Sequence, residues 1–268
     1  MHVHFLDPYR PRTSLVHSLD ARLKFVLTVA FILCASLTPI AAWPVYVLLF
    51  ALILSAEVLS GLGVSYVMKR ASLALPFVLA ALPVLFTIEG TALLSFPLGP
   101  WTLTISLEGL ERFASVALKS WLSVQAAILL ASATPFPELL QAMRAVGIPR
   151  LLVAMFGLMW RYLFVLVDEA LRLMRARAAR SGRGPGAGRR SGGGLAWRAR
   201  VTGGMAGSLF LRAFERSDRI YVAMLSRGYD GEVRTLPLPA LTAGGWLVLA
   251  AGLSLLGLLL VLGVLLWG

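Results

Sequence analysis

The stretch FVLTVAFILCASLTPIAAWPVYVLLFALILSA, residues 25–56, contains no charged side chain. A membrane-spanning helix needs roughly 20 predominantly apolar residues, so this stretch is long enough for nearly two such helices. Two prolines in its centre, within TPIAAWP at residues 38–44, interrupt any continuous helix. We therefore predict one membrane span at about 23–38 and a second at about 43–61.

The composition of the whole chain agrees with a membrane location. Hydrophobic residues make up 58% of its 268 residues, charged residues only 14%, and the mean hydropathy is +0.81. Soluble domains carry about 25% charged residues, so this chain has more apolar surface than a soluble core of its size can bury. We predict an all-α polytopic membrane protein with about five transmembrane helices and long cytoplasmic helices.

Basic residues predict the orientation of the spans, because Lys and Arg are enriched on the cytoplasmic side of membranes. Further spans are predicted at about 71–89, 112–134 and 243–267. The N-terminus carries several basic residues and is placed inside, whereas the loop at 89–111 contains only acidic charge. The chain has 22 arginines, most of them after residue 134, and this region returns inside. The C-terminus is then predicted outside.

Four ranges describe the predicted domain organisation. Residues 1–134 form an N-terminal membrane domain with four spans, and residues 135–234 form a cytoplasmic or interfacial region of coupling helices. Residues 235–268 form a C-terminal transmembrane helix. A glycine-rich linker occupies residues 181–194 within the second region. Residues 151–167 are apolar enough to span but contain Arg161, which is costly at a bilayer centre. We place them in a tilted or interfacial helix on the cytoplasmic side.

Two helices in the cytoplasmic region end in a similar pattern. A long helix starts at about 150 and ends at Ala179–Arg180–Ser181, and a second helix at about 205–227 ends at Ser226–Arg227–Gly228. An arginine at a helix C-terminus complements the helix dipole, which explains either site alone. Small neighbours also let a partner's backbone approach while the guanidinium reaches carboxylates or carbonyls. Two such ends suit a partner with two equivalent docking surfaces.

Signatures of catalysis are missing from the sequence. It has no phosphate-binding loop motif, no H-E-x-x-H pair and no carboxylate-rich metal motif, so we predict neither an enzyme nor a bound cofactor. His2 and His4 form at most a weak, incomplete metal site. Glu57 and Lys119 lie in apolar runs, from which their charged ends can snorkel toward the membrane surface. The arginine-rich region predicts contact with membrane lipid rather than nucleic acid.

Three segments carry a resemblance to a known family. SLVHSLDARLKF at residues 14–25, TPFPELLQAMRAVGIPRLL at 134–152 and FERSDRIYVAMLSRGYDG at 214–231 resemble the transmembrane T component of energy-coupling-factor (ECF) transporters, in its cobalt-type CbiQ branch. The resemblance covers nearly the whole chain, and the last segment is its most specific part. RYLFVLVDEALRLMRARAAR at 161–180 resembles the first of the family's two coupling helices.

The resemblance implies a role in ATP-driven import. In that family each coupling helix ends in an Ala-Arg-Gly-like triplet that docks on an ATP-binding cassette (ABC) ATPase. In this chain the implied triplets are Ala179–Arg180–Ser181 and Ser226–Arg227–Gly228. Serine replaces the glycine of the family pattern in the first triplet and the alanine in the second. The apolar coupling-helix faces would contact an integral substrate-binding component, with Met143, Met155, Met159 and Phe214 as candidate contacts.

The implied partners are two ABC ATPase subunits and a CbiM-like membrane component, with or without a small CbiN-like subunit. The implied location is the prokaryotic cytoplasmic (inner) membrane. Cobalt is the favoured cargo because the N-terminus and the LTPIAAWP turn at 37–44 resemble the cobalt branch. Nickel and a vitamin remain open as alternatives. A self-sufficient secondary transporter and a membrane enzyme are the alternatives from other classes.

Overall fold

The computed structural model describes residues 8–88, 91–98, 101–180, 194–231 and 239–267. Within this part the chain forms two compact units, one made of residues 8–147 with 239–267 and the other of residues 148–231. These units are defined by internal contacts. The predicted boundaries at 134 and 234 concern membrane location and stay a prediction.

The first unit is built from helices and one short hairpin. Its elements are α1 (Leu15–Ser18), α2 (Ala21–Leu37), α3 (Trp43–Ser60), α4 (Val64–Ala71), α5 (Leu75–Ala80), α6 (Val84–Thr87), β1 (Ala92–Leu98), β2 (Trp101–Ser106), α7 (Leu107–Ala133), α8 (Phe136–Ala145) and, after the second unit, α11 (Ala243–Trp267). The second unit consists of two 31-residue helices, α9 (Arg150–Arg180) and α10 (Leu195–Leu225).

The helices confirm an all-α polytopic membrane protein. In the described part of the chain, α3, α7, α9 and α11 are each long and apolar enough to cross a membrane. The predicted spans at 23–38, 43–61 and 243–267 correspond to α2, α3 and α11, although α2 has only 17 residues. Large apolar side chains are exposed along these helices, for example Leu33, Val47 and Leu247. Such a surface suits lipid contact rather than water.

The predicted span at 71–89 is wrong as a single helix. The chain turns at Gly61 and Gly63, which both have positive φ, and then forms α4, a 3₁₀ turn at Ser72–Ala74, α5 and α6. Pro83 caps the start of α6. Because proline has no N–H to donate and clashes with the preceding turn, it prevents α5 and α6 from joining. The turn-rich loop before α7 contains the antiparallel hairpin of β1 and β2.

Two lysines join α2 and α7 at both ends. The Lys24 ammonium, at the start of α2, donates to the carbonyl oxygen of Ala133 at 3.1 Å, where α7 ends. The Lys119 ammonium of α7 donates to the carbonyl oxygen of Ser36 at 3.1 Å, in the last turn of α2. The two helices therefore run antiparallel, and each has a cation from the other near its C-terminus, where the helix dipole favours positive charge.

Several further contacts define one end of this unit. The Arg10 backbone N–H donates to the carbonyl oxygen of Ser132 at 3.0 Å, and the Arg22 guanidinium donates to the carbonyl oxygen of Pro239 at 2.8 Å. Tyr66, just after α3, lies under the Arg10 guanidinium. The starts of α2 and α11 and the ends of α3 and α7 thus lie together at this end, which we call the basic end.

Glu57 does not snorkel. Its side chain in α3 is 1% exposed, and neither carboxylate oxygen has a hydrogen-bond partner in the described structure. Lys119, in contrast, reaches the backbone at the end of α2, as the Ser36 contact shows. The difference follows from length, because the longer lysine stem reaches a polar partner from a position within an apolar helix.

Candidate functional site

Among the described residues of the second unit, polar contacts at two positions show that its two helices are antiparallel. Arg212 of α10 pairs with Glu169 of α9, with 2.7 Å between Nη1 and Oε1. Arg177 of α9 donates to the hydroxyl oxygen of Thr202 at 3.1 Å. Residue numbers rise along α9 as they fall along α10 at these contacts. The C-terminus of each helix therefore lies at the opposite end of the pair from the C-terminus of the other.

The end of α10 is a Schellman motif. Gly228 has φ of +79°, its N–H donates to the Leu225 carbonyl at 3.0 Å, and the Tyr229 N–H reaches back to the Met224 carbonyl at 3.0 Å. These are the two hydrogen bonds that define this cap, and a glycine supplies the left-handed residue without steric cost. Arg227 is the last residue before that glycine. The cap therefore fixes the backbone from which the Arg227 side chain leaves.

All three residues of the second predicted triplet are exposed. The Ser226 hydroxyl donates to the Ala223 carbonyl at 3.0 Å, so it closes onto its own helix and leaves Arg227 as the charged group. Among the residues that the structure describes, the Arg227 guanidinium has neither a hydrogen bond nor an ion pair. Carbonyls near a helix end carry partial negative charge, which favours a cation there.

Arg180 is the last residue of α9 and is exposed, as is Ala179. Ser181, the third residue of the first predicted triplet, lies outside the described residues. Arg177 is beside Thr202, and a helix rises about 1.5 Å per residue, so Arg180 and Arg227 are ~40 Å apart along the helix pair. The structure places the two arginines at opposite ends of one element and does not bring them together.

The predicted partner contacts divide between the two units. Met155 and Met159 lie one helical turn apart on α9, and each is 56% exposed. Phe214 of α10 is also exposed and stacks on Phe210, with 6.4 Å between ring centroids. Met143 belongs to α8 in the first unit and is only half-buried. Three of the four candidates thus lie on the helix pair.

A shallow apolar groove runs between α9 and α10. Its volume is about 200 Å³, and Met159, Tyr162 and Ala213 are among the residues that line it. Phe214 is not among its lining residues, so the exposed aromatic pair of Phe210 and Phe214 forms a separate surface. The helix pair therefore presents apolar side chains on more than one face, and Arg216 is a charged residue that lines the groove.

Sequence reasoning missed the contacts that join the two helices. The pair of Glu169 with Arg172, at 3.5 Å, has the local i,i+3 spacing of a single helix. The shorter contact of Glu169 with Arg212 joins residues 43 positions apart. No local pattern indicates that register, because it depends on how the helices align. The candidate metal ligands His2 and His4 lie outside the described residues.

Comparison with known proteins supplies the family. The CbiQ family, described as "Cobalt transport protein", matches residues 12–237. The ECF transporter transmembrane protein EcfT of Thermosediminibacter oceani is 32% identical, covering 86% of each chain. The cobalt transport protein CbiQ of Rhodobacter capsulatus is 30% identical, covering 70% of this chain and 72% of the relative.

A third relative is a fusion. The putative fused cobalt transport protein CbiMQ of Methanocorpusculum labreanum is 27% identical over 93% of this chain and 42% of its own length. These relatives are named as components of transporters, which agrees with the prediction that the chain is not an enzyme. The match extends from the residues before α1 through both long helices of the second unit. This chain belongs to the CbiQ family of cobalt transport proteins, the T components of ECF transporters.

Proposed function

We propose that this chain couples ATP hydrolysis by two ABC ATPase subunits to the movement of a membrane-embedded substrate-binding partner, and that the cargo is Co²⁺. The observation that carries this proposal is the position of Arg180 and Arg227. Each is exposed at the C-terminus of a long helix, and the helices are antiparallel, so one element offers two separated cationic ends.

The two ends fit a pair of ATPases better than a single partner. They are ~40 Å apart along the helix pair, so two docking surfaces are needed to engage both. Each guanidinium offers a planar fork of donors to carboxylates or carbonyls. When the ATPases move relative to one another, the two helix ends move with them, and the angle between the axes of α9 and α10 changes. The contact between Glu169 and Arg212 is exposed enough to break and re-form during that change.

The apolar surfaces of the pair are the proposed contact for the substrate-binding partner. Met155, Met159 and Phe214 are exposed there, and methionine side chains can repack as a partner shifts. Met143 would contribute from α8. The fused CbiMQ relative supports a partner of the CbiM type, with or without a small CbiN-like subunit. On this proposal the chain neither hydrolyses ATP nor selects the cargo.

The proposed location is the cytoplasmic membrane, with the basic end of the first unit facing the cytoplasm. Arg10, Arg22 and Lys24 lie at that end, as do Lys69 and Arg70 after α3. The positive-inside rule assigns such a face to the cytoplasm. On this proposal residues 135–234 lie on the cytoplasmic side, residues 151–167 lie at the membrane interface, and the C-terminus is outside.

The first test reverses the charge of each end. Arg180→Glu, Arg227→Glu and the double variant are expressed with the ATPase subunits and the membrane partner, and ATPase retention is measured by pull-down. A buried interface arginine typically contributes about 2 kcal/mol or more, so each single variant should bind the ATPase at least about 30-fold more weakly, and the double variant should retain essentially none.

Matched controls are available on the same helices. Arg175→Glu in α9 and Arg219→Glu in α10 change the same charge at exposed positions away from the helix ends. Both should bind ATPase as the wild type does. If the double variant retains full ATPase binding and ATP-driven uptake, the coupling proposal is wrong. Uptake of ⁵⁷Co²⁺ in competition with Ni²⁺ and with vitamins then separates the cobalt assignment from its alternatives.

A further inference from the structure

Two arginines from distant parts of the chain converge on one tyrosine. The Arg10 guanidinium carbon lies 3.7 Å from the centroid of the Tyr66 ring, and the Arg70 guanidinium carbon lies 5.3 Å from the same centroid. Both distances are within the range of a cation–π contact. The two guanidinium carbons are therefore no more than 9.0 Å apart, the sum of those distances.

The backbone around this cluster is held firmly. The Arg10 N–H donates to the Ser132 carbonyl at 3.0 Å, and the Arg10 carbonyl accepts from the His17 ring nitrogen Nε2 at 3.0 Å. Arg70 lies one helical turn after Tyr66 in α4, and the Tyr66 ring packs against the buried core of the first unit. The three side chains thus start from fixed positions, so their convergence is built into the fold.

No carboxylate in the described part of the chain compensates the positive charge of the cluster. In the described part of the chain, neither guanidinium has a carboxylate within ion-pair distance, and Lys69 adds a third, exposed cation in the same turn of α4. Like charges so close repel each other, and the tyrosine ring offsets this only partly. An anion between the guanidinium groups would accept hydrogen bonds from both.

The spacing suits a phosphate. Charge-assisted N–H···O bonds of about 2.8 Å put a guanidinium carbon roughly 4 Å from the phosphorus atom, so two arginines on one phosphate are up to about 8 Å apart. The guanidinium carbons of Arg10 and Arg70 are no more than 9.0 Å apart, so modest side-chain rotations bring both within reach of one phosphate. Arginine forks match phosphate oxygens bidentately, which a single lysine cannot do.

We propose that Arg10, Arg70 and Tyr66, with Lys69 beside them, form a binding site for the phosphate headgroup of an anionic phospholipid. The site lies where α3 and α7 end, since Tyr66 follows α3 after a short turn and Ser132 is next to the last residue of α7. Lipid phosphates are concentrated at that depth, and an aromatic ring with arginines is well suited to the boundary. The site ties the N-terminal segment and α4 to the membrane surface. It depends on membrane insertion and not on ATPase coupling.

The test is native mass spectrometry of the full chain in detergent, titrated separately with phosphatidylglycerol and phosphatidylcholine. Phosphatidylglycerol should bind more tightly, because the choline cation is repelled by the cluster. Removing one charge-assisted donor set should weaken phosphatidylglycerol binding about tenfold in Arg10→Gln or Arg70→Gln, and further in the double variant. The double variant Arg10→Lys with Arg70→Lys keeps both charges but loses the guanidinium forks, and its phosphatidylglycerol affinity should fall between those of the glutamine variants and the wild type.

Arg12→Gln is the matched control, since it removes the same charge from an exposed neighbour outside the cluster. Phosphatidylglycerol binding that falls equally in Arg12→Gln and Arg10→Gln would mean general charge attraction and would overturn the site. Millimolar inorganic phosphate that displaces the lipid completely would show a free-phosphate site instead. The double variant Arg10→Gln with Arg70→Gln gives a further check. If its lipid binding is unchanged but it no longer retains the ATPase in a pull-down, the cluster binds a protein partner and the proposal is overturned.

Discussion

A few residues with unusual backbone or burial determine how the charged groups are presented. Gly228 is one of them, because its positive φ of +79° lets the chain turn away directly after Arg227, just past the end of α10 at Leu225. A side chain added there would meet nothing within 4 Å, so crowding is not the reason for a glycine. The reason is conformational, since residues with a Cβ rarely adopt the left-handed region. The orientation of Arg227 thus depends on its neighbour.

Gly228→Ala should therefore loosen the cap without disturbing the rest of α10. We expect a cost of about 1 kcal/mol, seen as faster amide hydrogen exchange at Gly228 and Tyr229 and weaker ATPase retention. Gly203→Ala is the control, because Gly203 is inside α10 with open space around it and alanine favours helix. That variant should leave exchange at the cap unchanged or slower. Equal exchange rates in wild type and Gly228→Ala would contradict the conformational argument.

At the scale of elements, one acidic residue, Glu169, joins the two long helices α9 and α10. Glu169 is the acceptor for both Arg172 and Arg212, and its side chain is only 18% exposed while the two arginines are more than half exposed. Exposed ion pairs contribute little free energy, commonly below about 1 kcal/mol. A weak contact of this kind is consistent with one register of α9 and α10 and still permits them to move.

A charge swap tests the register. Glu169→Arg places three arginines together and should lower the melting temperature of the purified protein, and adding Arg212→Glu should restore part of the loss. In a double-mutant cycle with Glu169→Gln and Arg212→Gln, we expect a coupling free energy of about 0.2–1 kcal/mol that decreases with added salt. Arg219→Gln in place of Arg212→Gln should give no coupling. A coupling of zero for Glu169 and Arg212 at low salt would mean that they do not define the register.

At the scale of the whole molecule, the first unit is closed by long-range contacts between chain segments. Lys24 and Ala133 are 109 positions apart, and Lys119 and Ser36 are 83 apart. Lys24 is buried, with 7% of its surface exposed. Its ammonium therefore needs the Ala133 carbonyl, and that carbonyl at the end of α7 needs a donor. The same basic end holds the start of α11 through Arg22 and Pro239.

Lys24→Met keeps the length of the side chain and removes the donor. We expect it to destabilise the first unit by about 1–3 kcal/mol, because a buried carbonyl loses its partner. Lys119→Met removes an equivalent hydrogen bond at a more accessible place, where water can replace the donor, and should cost less. Thermal melts of both variants in one detergent give the comparison. A larger effect for Lys119→Met would mean that burial does not decide the cost.

The sequence by itself determined the class of protein and most of its helices. The uncharged runs at 25–56 and 235–268 identify α2, α3 and α11, and the apolar stretch on either side of Lys119 identifies α7. The glycine-rich linker, which also contains several arginines, marks where α9 and α10 separate. These are local properties, and they can be recognised from composition and period alone. The breaking of the segment at 71–89 was also encoded locally, in Pro83, but tolerance of proline in membrane helices concealed it.

Only the tertiary structure decided which distant residues meet. Three features link segments that are far apart in the chain. They are the antiparallel register that separates Arg180 from Arg227, the lysines that join α2 and α7, and the convergence of Arg10 and Arg70 on Tyr66. Such contacts depend on how helices pack and align, and many alignments satisfy the same apolar pattern. The physical reason is that hydrophobic burial is non-directional, whereas hydrogen bonds and ion pairs select one arrangement among those that burial permits.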